Sequence, residues 1–299
     1  MDKYMDNFLE HRRAQERTYQ ATIAGSSDPI TSLLTVELNI TELCNRICPF
    51  CPRVNPEVYP NLNLSMDLKI SEKIAEDLKQ MGYKGRISFS GYGEPILNKQ
   101  FPDHIRLFRR ALPENTIETN TNGDKLTVDM IQGLYDAGIS ALYVNLYDGV
   151  ESVAHFEDLF AKAGIITDRY KLRRHWPGVA KDYGLTINNR SGMLQPPDAP
   201  VQQPPDPIAS PCYYPFYKML VDWNGNVLFC ANDWGRKNII GNLLHASVRE
   251  LWLSDRMREI RLRLAKADRH FSPCNVCDIE GTLHGKPSFD RLLAFYADD

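Results

Sequence analysis

Three cysteines fall within eight residues, as Cys44-Asn-Arg-Ile-Cys48-Pro-Phe-Cys51. The spacing Cys-x3-Cys-x2-Cys puts three thiolates on one tight loop. Thiolates are the usual ligands of a four-iron cubane cluster. Three of them leave one iron without a protein ligand and open to a chelating small molecule, as a catalytic metal centre keeps an open position. A structural zinc site prefers four ligands, usually as two separated Cys-x2-4-Cys pairs. A disulfide framework belongs to short secreted chains, and this one has 299 residues.

A second set lies far along the chain: Cys212, Cys230 and the pair Cys274-Asn-Val-Cys277. Four thiolates ending in Cys-x2-Cys make a closed site, for zinc or for a fully ligated iron–sulfur cluster, and spacing alone does not separate the two. Three and four together use all seven cysteines. An odd number is not satisfied by disulfides, so a reducing cytoplasm is expected. His155 and His245 have no ligand spacing and are assigned nothing.

The elements that must position these groups come in blocks. Residues 1–34 read as a mostly helical, charged leader that ends in a turn at Gly25-Ser26-Ser27-Asp28-Pro29. Within it, His11-Arg12-Arg13 reads as a solvated helix face. Residues 35–194 alternate strand and helix. Strands are expected at 35–40, 86–90, 115–120, 140–146 and 170–175, with amphipathic helices near 67–81, 101–111, 127–137 and 152–163. Such alternation implies a parallel sheet with helices outside it. Five or six units are too few for a closed eight-stranded barrel and fit a partial, open (β/α)6 barrel. Ligands of such sheets gather at the carboxyl ends of the strands, and the cysteine loop follows the first strand. Residues 195–211 hold prolines at 196, 197, 200, 204, 205, 207 and 211, a density that makes an extended linker. Residues 212–299 form a small α+β domain, in which Val221 to Cys230 reads as a hairpin with an Asn-Gly turn.

Other strand ends also carry polar groups. Ser90-Gly91-Tyr92-Gly93-Glu94-Pro95 follows the second strand; its glycines let backbone approach a ligand closely, and its carboxylate can hold an ammonium. Asn120 and Asn145 end the third and fourth strands before glycine turns, where turn chemistry alone is the competing explanation.

The cysteine loop, with Thr41-Glu42-Leu43 before it and Phe50 ahead of its last cysteine, resembles the signature of the radical S-adenosylmethionine (SAM) enzymes. The resemblance implies a [4Fe–4S] cluster on Cys44, Cys48 and Cys51, with the open iron chelated by the amino and carboxyl groups of SAM. One electron then cleaves SAM to methionine and a 5′-deoxyadenosyl radical, which abstracts hydrogen from a substrate. It also implies that Phe50 packs near the adenine, and that Gly91, Tyr92, Gly93 and Glu94 bind the amino group. Tyr92 departs from the family's Gly-Gly-Glu-Pro pattern. Asn120 and Asn145 fall where members contact the ribose and carboxylate of SAM. The C-terminal order resembles the twitch form of the SPASM domain, which implies one auxiliary [4Fe–4S] cluster on Cys212, Cys230, Cys274 and Cys277. A reducing partner such as flavodoxin or ferredoxin follows from the same resemblance.

With every cysteine used, no spare thiol returns a hydrogen atom to a substrate radical. Loss of an electron to the auxiliary cluster then oxidises an alcohol to a carbonyl, so a dehydrogenase is the leading expectation. Epimerisation with a non-cysteine donor (Tyr213, Tyr214 or Tyr217), decarboxylation and dehydration, on a small molecule or a peptide, are the alternatives. A non-catalytic zinc or iron–sulfur binding protein is the alternative of another class. The leader is too small for an evident peptide-recognition domain, which favours a small polar substrate such as a sugar or aminocyclitol. Arg190 is the candidate catalytic side chain, with Arg173 and His175 beside it as further candidates for substrate or SAM-carboxylate contacts.

Net charge is −3, so no basic excess advertises a nucleic-acid surface. Arg249, Arg256, Arg258, Arg261 and Arg263 are interleaved with Glu250, Asp255 and Glu259 and read as a solvated helix face. The N-terminus, Met1-Asp-Lys-Tyr-Met-Asp, has no apolar stretch behind it, so neither secretion nor a membrane span is expected.

Overall fold

The computed structural model describes residue 14 and residues 17–21, 23–175, 188–198 and 203–297; His11-Arg12-Arg13 lies outside them. Five strands, β1 (Thr35–Leu38), β2 (Arg86–Phe89), β3 (Ile117–Thr121), β4 (Ala141–Leu146) and β5 (Tyr170–Arg174), pair in parallel in that order. Between them run α1 (Leu68–Gln80), α2 (Phe101–Ala111), α3 (Val128–Asp136) and α4 (Glu151–Lys162). These spans agree with the periodicity to within two residues.

Each helix forms for a local reason. In α1, Asp67 accepts from the Lys69 N–H as N-cap, and Ile70, Ile74, Ala75 and Leu78 recur on one buried face. Thr127 caps α3 in the same way.

The strands carry the more informative pattern. A parallel sheet covered on both faces usually reads as a continuous apolar run. Here the strands alternate instead. Val36, Leu38, Ile87, Phe89, Ile117, Leu142 and Val144 join the apolar core under the helices. Glu37 pairs in register with Ser88, Ser88 with Glu118, and Asn120 with Tyr143, so successive strands present these side chains to the other face. That face is the lumen of the partial barrel, and its polarity marks it as a site rather than a core.

A sixth parallel strand comes from beyond the proline-rich linker. β6 (Lys218–Val221) lies against the free side of β1, with Glu37 opposite Leu220. β7 (Asn226–Leu228) and β8 (Ile239–Asn242) follow antiparallel, and the sheet order is β5-β4-β3-β2-β1-β6-β7-β8. The expected hairpin is present, with Gly225 of its Asn-Gly turn at φ 86°. The short helix α5 (Tyr214–Tyr217) precedes β6, and α6 (Val248–Trp252), α7 (Asp255–Ala265) and α8 (Lys286–Ala297) pack behind. Val221, Trp252, Leu264 and Leu292 belong to the same apolar cluster as Val36 and Phe108. The C-terminal segment thus shares a sheet and a core with the barrel, which the linker in the sequence does not foretell.

One expectation is corrected. Arg261 does not lie on a solvated face: it is fully buried. Its guanidinium donates to the carbonyls of Pro215 and Trp252 and to the Tyr296 hydroxyl, and stacks 4.0 Å from the Trp252 ring centroid. Its position on the inward stripe of α7 outweighed its charge. Among the described residues no helix is long and apolar enough to cross a membrane.

Candidate active site

The barrel lumen opens into a cavity of about 450 Å³. Cys44, Cys48 and Cys51 line it, and so do Phe50, Gly91, Tyr92, Gly93, Glu94, Asn120, Asn145, Arg173 and Arg190. Residues spread over nearly 150 positions of sequence are therefore brought to one place, at the carboxyl ends of the strands.

The cysteine loop is held from several directions. Asn61 brackets Cys44, accepting from its N–H at 2.9 Å and donating to its carbonyl at 2.9 Å. Arg46 donates to both carboxylate oxygens of Asp124, at 2.7 Å each, and to Asp148 at 2.9 Å. Those aspartates follow β3 and β4, so the loop is tied to two strand ends. Arg53, just past Cys51, is buried and donates to the carbonyls of Tyr92 (3.1 Å), Pro60 (3.2 Å) and Glu42. Sequence reading missed both arginines, because an Arg inside or beside a cysteine motif carries no spacing signal.

The three thiols lie close enough to perturb one another. Burial first, then the neighbouring Cys51 and Cys44, push the Cys48 thiol up to about 12. The second set behaves alike: burial pushes Cys212 up to about 11 and raises Cys230 and Cys274; Cys212 and Cys277 add to the rise at Cys230, and all three partners to that at Cys274. All seven thiols are free of disulfides. Among the described residues no three His, Cys, Asp or Glu side chains are gathered to grip a single metal ion. Metal loading deprotonates the thiols, so it releases protons.

The glycine turn lines the cavity and is also packed tightly against the chain itself. A Cβ on Gly93 would lie 2.0 Å from the Thr41 carbonyl oxygen, and one on Gly91 2.8 Å from Asn39. These glycines let the turn pack against the chain's own lead-in to the cysteine loop. Tyr92 lines the cavity, but its side chain turns to the C-terminal segment. Its hydroxyl donates to the Asp233 carbonyl at 3.0 Å and its ring lies 4.4 Å from that of Trp234. The tyrosine that breaks the family pattern thus joins the two halves of the molecule. Replacing Gly93 by Ala must move backbone, at about 1–3 kcal/mol, and is expected to weaken SAM binding about tenfold or more with iron content unchanged; equilibrium dialysis on the loaded protein checks this.

Glu94 is buried. It accepts from the Thr121 hydroxyl (2.7 Å) and from the N–H groups of Asn122 (2.7 Å) and Ile96 (3.2 Å). Burial pushes its carboxyl up to about 7 despite these donors. Glu37, the other carboxylate on the cavity wall, is treated differently: burial opposes its charge, but Lys218 at 2.7 Å and the Ser90 hydroxyl outweigh burial and hold it below its ordinary value.

The strand-end asparagines are partly engaged with the protein. Asn120 accepts from Arg173 at 3.1 Å, and Asn145 accepts from His175 Nε2 at 2.9 Å. Burial pushes His175 down to about 3, so it is neutral, and its Nδ1 is a buried acceptor. Its ring stacks 5.5 Å from Tyr147, which lies 5.4 Å from Phe50. Asn122, which was not singled out in the sequence, donates to Asn45 within the cysteine loop at 2.9 Å.

Arg190 stands at the junction of the two cysteine sets. It occupies a left-handed turn (φ 51° at Arg190, 53° at Ser191), and its Nε lies 3.4 Å from the Phe50 carbonyl. Next to it, the Asn189 amide donates to the Asp278 carboxylate and its side chain to the Val276 carbonyl. Burial lowers the Arg190 pKa, against the influence of Cys51, Tyr147, Tyr214 and Asp278. Tyr214 also lines the cavity; burial raises its pKa first, and Cys230, Cys212 and Glu37 add to the rise. Arg190 and Tyr214 therefore stand between the three-cysteine loop and the four-cysteine set. The donor chemistry fits one open and one closed iron–sulfur site.

Comparison with known proteins agrees with this geometry. A model described as the radical SAM superfamily matches residues 38–171, and one described as an iron–sulfur cluster-binding domain, SPASM, matches residues 212–278. The chain is 29% identical over 279 residues to the S-adenosyl-L-methionine-dependent 2-deoxy-scyllo-inosamine dehydrogenase of Niallia circulans, covering 89% of this chain and 100% of that one. It is 34% identical over 113 residues to the GTP 3′,8-cyclase of Shewanella denitrificans, across 37% of this chain and 32% of the relative. The crystal structure of BtrN in complex with AdoMet and 2-DOIA superposes with a TM-score of 0.70 at 25% identity, covering 85% of this chain and 96% of that one. Native anSMEcpe with bound AdoMet, at 13% identity and a TM-score of 0.53 over 88% of this chain and 98% of that one, shares the fold.

Proposed function

The chain belongs to the radical SAM superfamily and carries a SPASM-type domain, and from that premise we propose that it oxidises one alcohol of an aminocyclitol or similar small polar substrate. The observation that carries this reading is one cavity lined by three thiols at one side and, at the other, by Tyr214, which feels Cys230 and Cys212, and by Arg190, whose neighbour Asn189 bonds Val276 and Asp278 on either side of Cys277. When bound, the three-cysteine cluster with SAM supplies a hydrogen-abstracting radical, and the four-cysteine cluster supplies an acceptor for the electron left on the substrate.

The chain's own residues do the positioning. Arg46 and Arg53 fix the cysteine loop. Phe50 and Tyr147 offer an aromatic wall to an adenine, and Asn120, Asn145 and the backbone of Gly91 to Glu94 offer donors and acceptors to the rest of SAM. Arg190 faces a carboxylate or the reacting oxygen. Glu37, ionised and held by Lys218, accepts hydroxyl or ammonium groups of a polyol and stands ready for the hydroxyl proton. The hydrogen leaves with one electron, the proton goes to a base, and the second electron goes to the acceptor, which together make a ketone.

A protein of the flavodoxin or ferredoxin class supplies the reducing electron, and a reducing cytoplasm suits seven free thiols. No nucleic acid enters the reaction. The test is anaerobic incubation of the two-cluster protein with SAM, a reductant and 2-deoxy-scyllo-inosamine. One ketone per 5′-deoxyadenosine is expected. Deuterium from solvent in recovered substrate, with no ketone, would instead identify an epimerase using a tyrosine of the cavity wall as donor. SAM cleavage without any change to the substrate would move the search to other polyols.

A further inference from the structure

Behind the four-cysteine set lies a buried cation that the reading above leaves without a task. Arg269 is 1% exposed. Its Nε donates to the Ser210 carbonyl (3.0 Å), Nη1 to that of Ile279 (2.6 Å), and Nη2 to those of Pro211 (3.0 Å) and Glu280 (2.5 Å), with the Ser210 hydroxyl at 3.4 Å. Ser210 and Pro211 run into Cys212, and Ile279 and Glu280 follow Cys277. One guanidinium fork therefore cross-links the two segments that deliver cysteines from opposite ends of the domain.

The charge itself needs a counterpart. A buried guanidinium is normally paired with a carboxylate, yet among the described residues Arg269 has no ion pair. The neighbouring Asp268 is engaged by Arg263 at 2.7 Å. What Arg269 does lie against is the backbone that carries the sulfurs: it holds the carbonyl of Pro211, which precedes Cys212, and that of Ile279, two residues after Cys277, and its charge opposes the effect of burial at Cys212, Cys274 and Cys277.

We propose that Arg269 is the counter-charge of the auxiliary cluster and sets its reduction potential high enough to accept the substrate electron. This rests on the reading of that cluster as the acceptor. A cluster on four thiolates is anionic, and reduction adds one more negative charge in a site of low dielectric. A fixed cation beside it stabilises the reduced form more than the oxidised one, so the potential rises. Arg269 acts through the cluster and its loops, and is a positioning residue that touches no substrate.

The experiment is a redox titration followed by electron paramagnetic resonance, in full-length protein carrying Cys44/Cys48/Cys51→Ala so that only the auxiliary cluster reports. Iron is counted first. About four irons per chain establishes the cluster, and its absence would sink the reading on which the inference stands, as a separate result. Arg269→Gln is expected to lower the midpoint by about 59 mV or more, a tenfold fall in the reduced-to-oxidised ratio at fixed potential. Arg269→Lys keeps the charge and is expected to stay near the parent value, even if loading falls. Arg269→Met, neutral and of similar reach, should lower the midpoint in the same direction. If Arg269→Gln does not load, Arg269→Met decides. A midpoint unmoved in the loaded neutralising variants overturns the proposal and leaves Arg269 as a brace.

Discussion

Replacing Cys44, Cys48 and Cys51 together by Ala is expected to lower the iron of the anaerobically reconstituted protein from about eight to about four per chain and to reduce SAM cleavage to background. The reasoning is local. These three thiols are the only cysteines that line the cavity, while the other four surround one another on the far side of Arg190 and Tyr214. Removing the first set takes away the ligands of one site and leaves those of the other. The complementary variant, with Cys212, Cys230, Cys274 and Cys277 changed to Ala, is expected to keep about four irons and some SAM cleavage but to form no ketone, since the substrate electron has lost its acceptor. The two variants together separate making the radical from finishing the oxidation. About four irons in the unmodified protein, with zinc persisting in the triple variant, would make the second site structural. The electron-acceptor argument would fall with it.

How much of this the sequence announces depends on how far apart the partners lie. The cysteine loop is eight residues long, so its chemistry is readable from spacing alone. Strands and helices from 35 to 174 are readable too, because a period of 2 or 3.6 is a local property. Contacts between distant segments are not local. Tyr92 looked like an irregularity in a cofactor-binding turn; its hydroxyl bonds residue 233, 141 positions away. Arg261 looked solvated because its neighbours in sequence are charged, and only the packing of α7 reveals its burial. The pairing of β6 with β1 was hidden by the proline-rich stretch, which reads as a spacer whether the segments it joins are separate or share a sheet. The candidate site divides along the same line. Its ligand types were legible, while Arg46, Arg53 and Asn122, which hold those ligands in place, were not.

The second large effect follows from one of those unannounced contacts. Arg236→Met is expected to destabilise the protein by about 3–5 kcal/mol, a large share of the 5–15 kcal/mol typical of a folded protein. A melting temperature lower by about 10 °C is the corresponding reading. Arg236 donates to Asp222 Oδ2 at 2.5 Å, to Glu42, and to the Tyr59 hydroxyl at 2.9 Å, and its guanidinium lies 5.0 Å from the Tyr92 ring centroid. Asp222 and Glu42 are both buried; Glu42 keeps Arg53 at 3.6 Å, so the variant strands Asp222 above all and leaves Glu42 with one cation instead of two. Asn39 donates to Asp222 at 2.8 Å, but a neutral amide does not replace the charge. Glu42 stands two residues before Cys44, so the damage should spread to the first cluster and lower its iron occupancy, whereas a change in surface charge would leave it alone. Adding Asp222→Asn to Arg236→Met should recover part of the loss, since one stranded carboxylate is then neutral. A fall of under about 2 °C in Arg236→Met would mean that the shared sheet and the common apolar core join the two halves without help from this network. The polar contacts around Tyr92 would then shape the cavity but not hold it together.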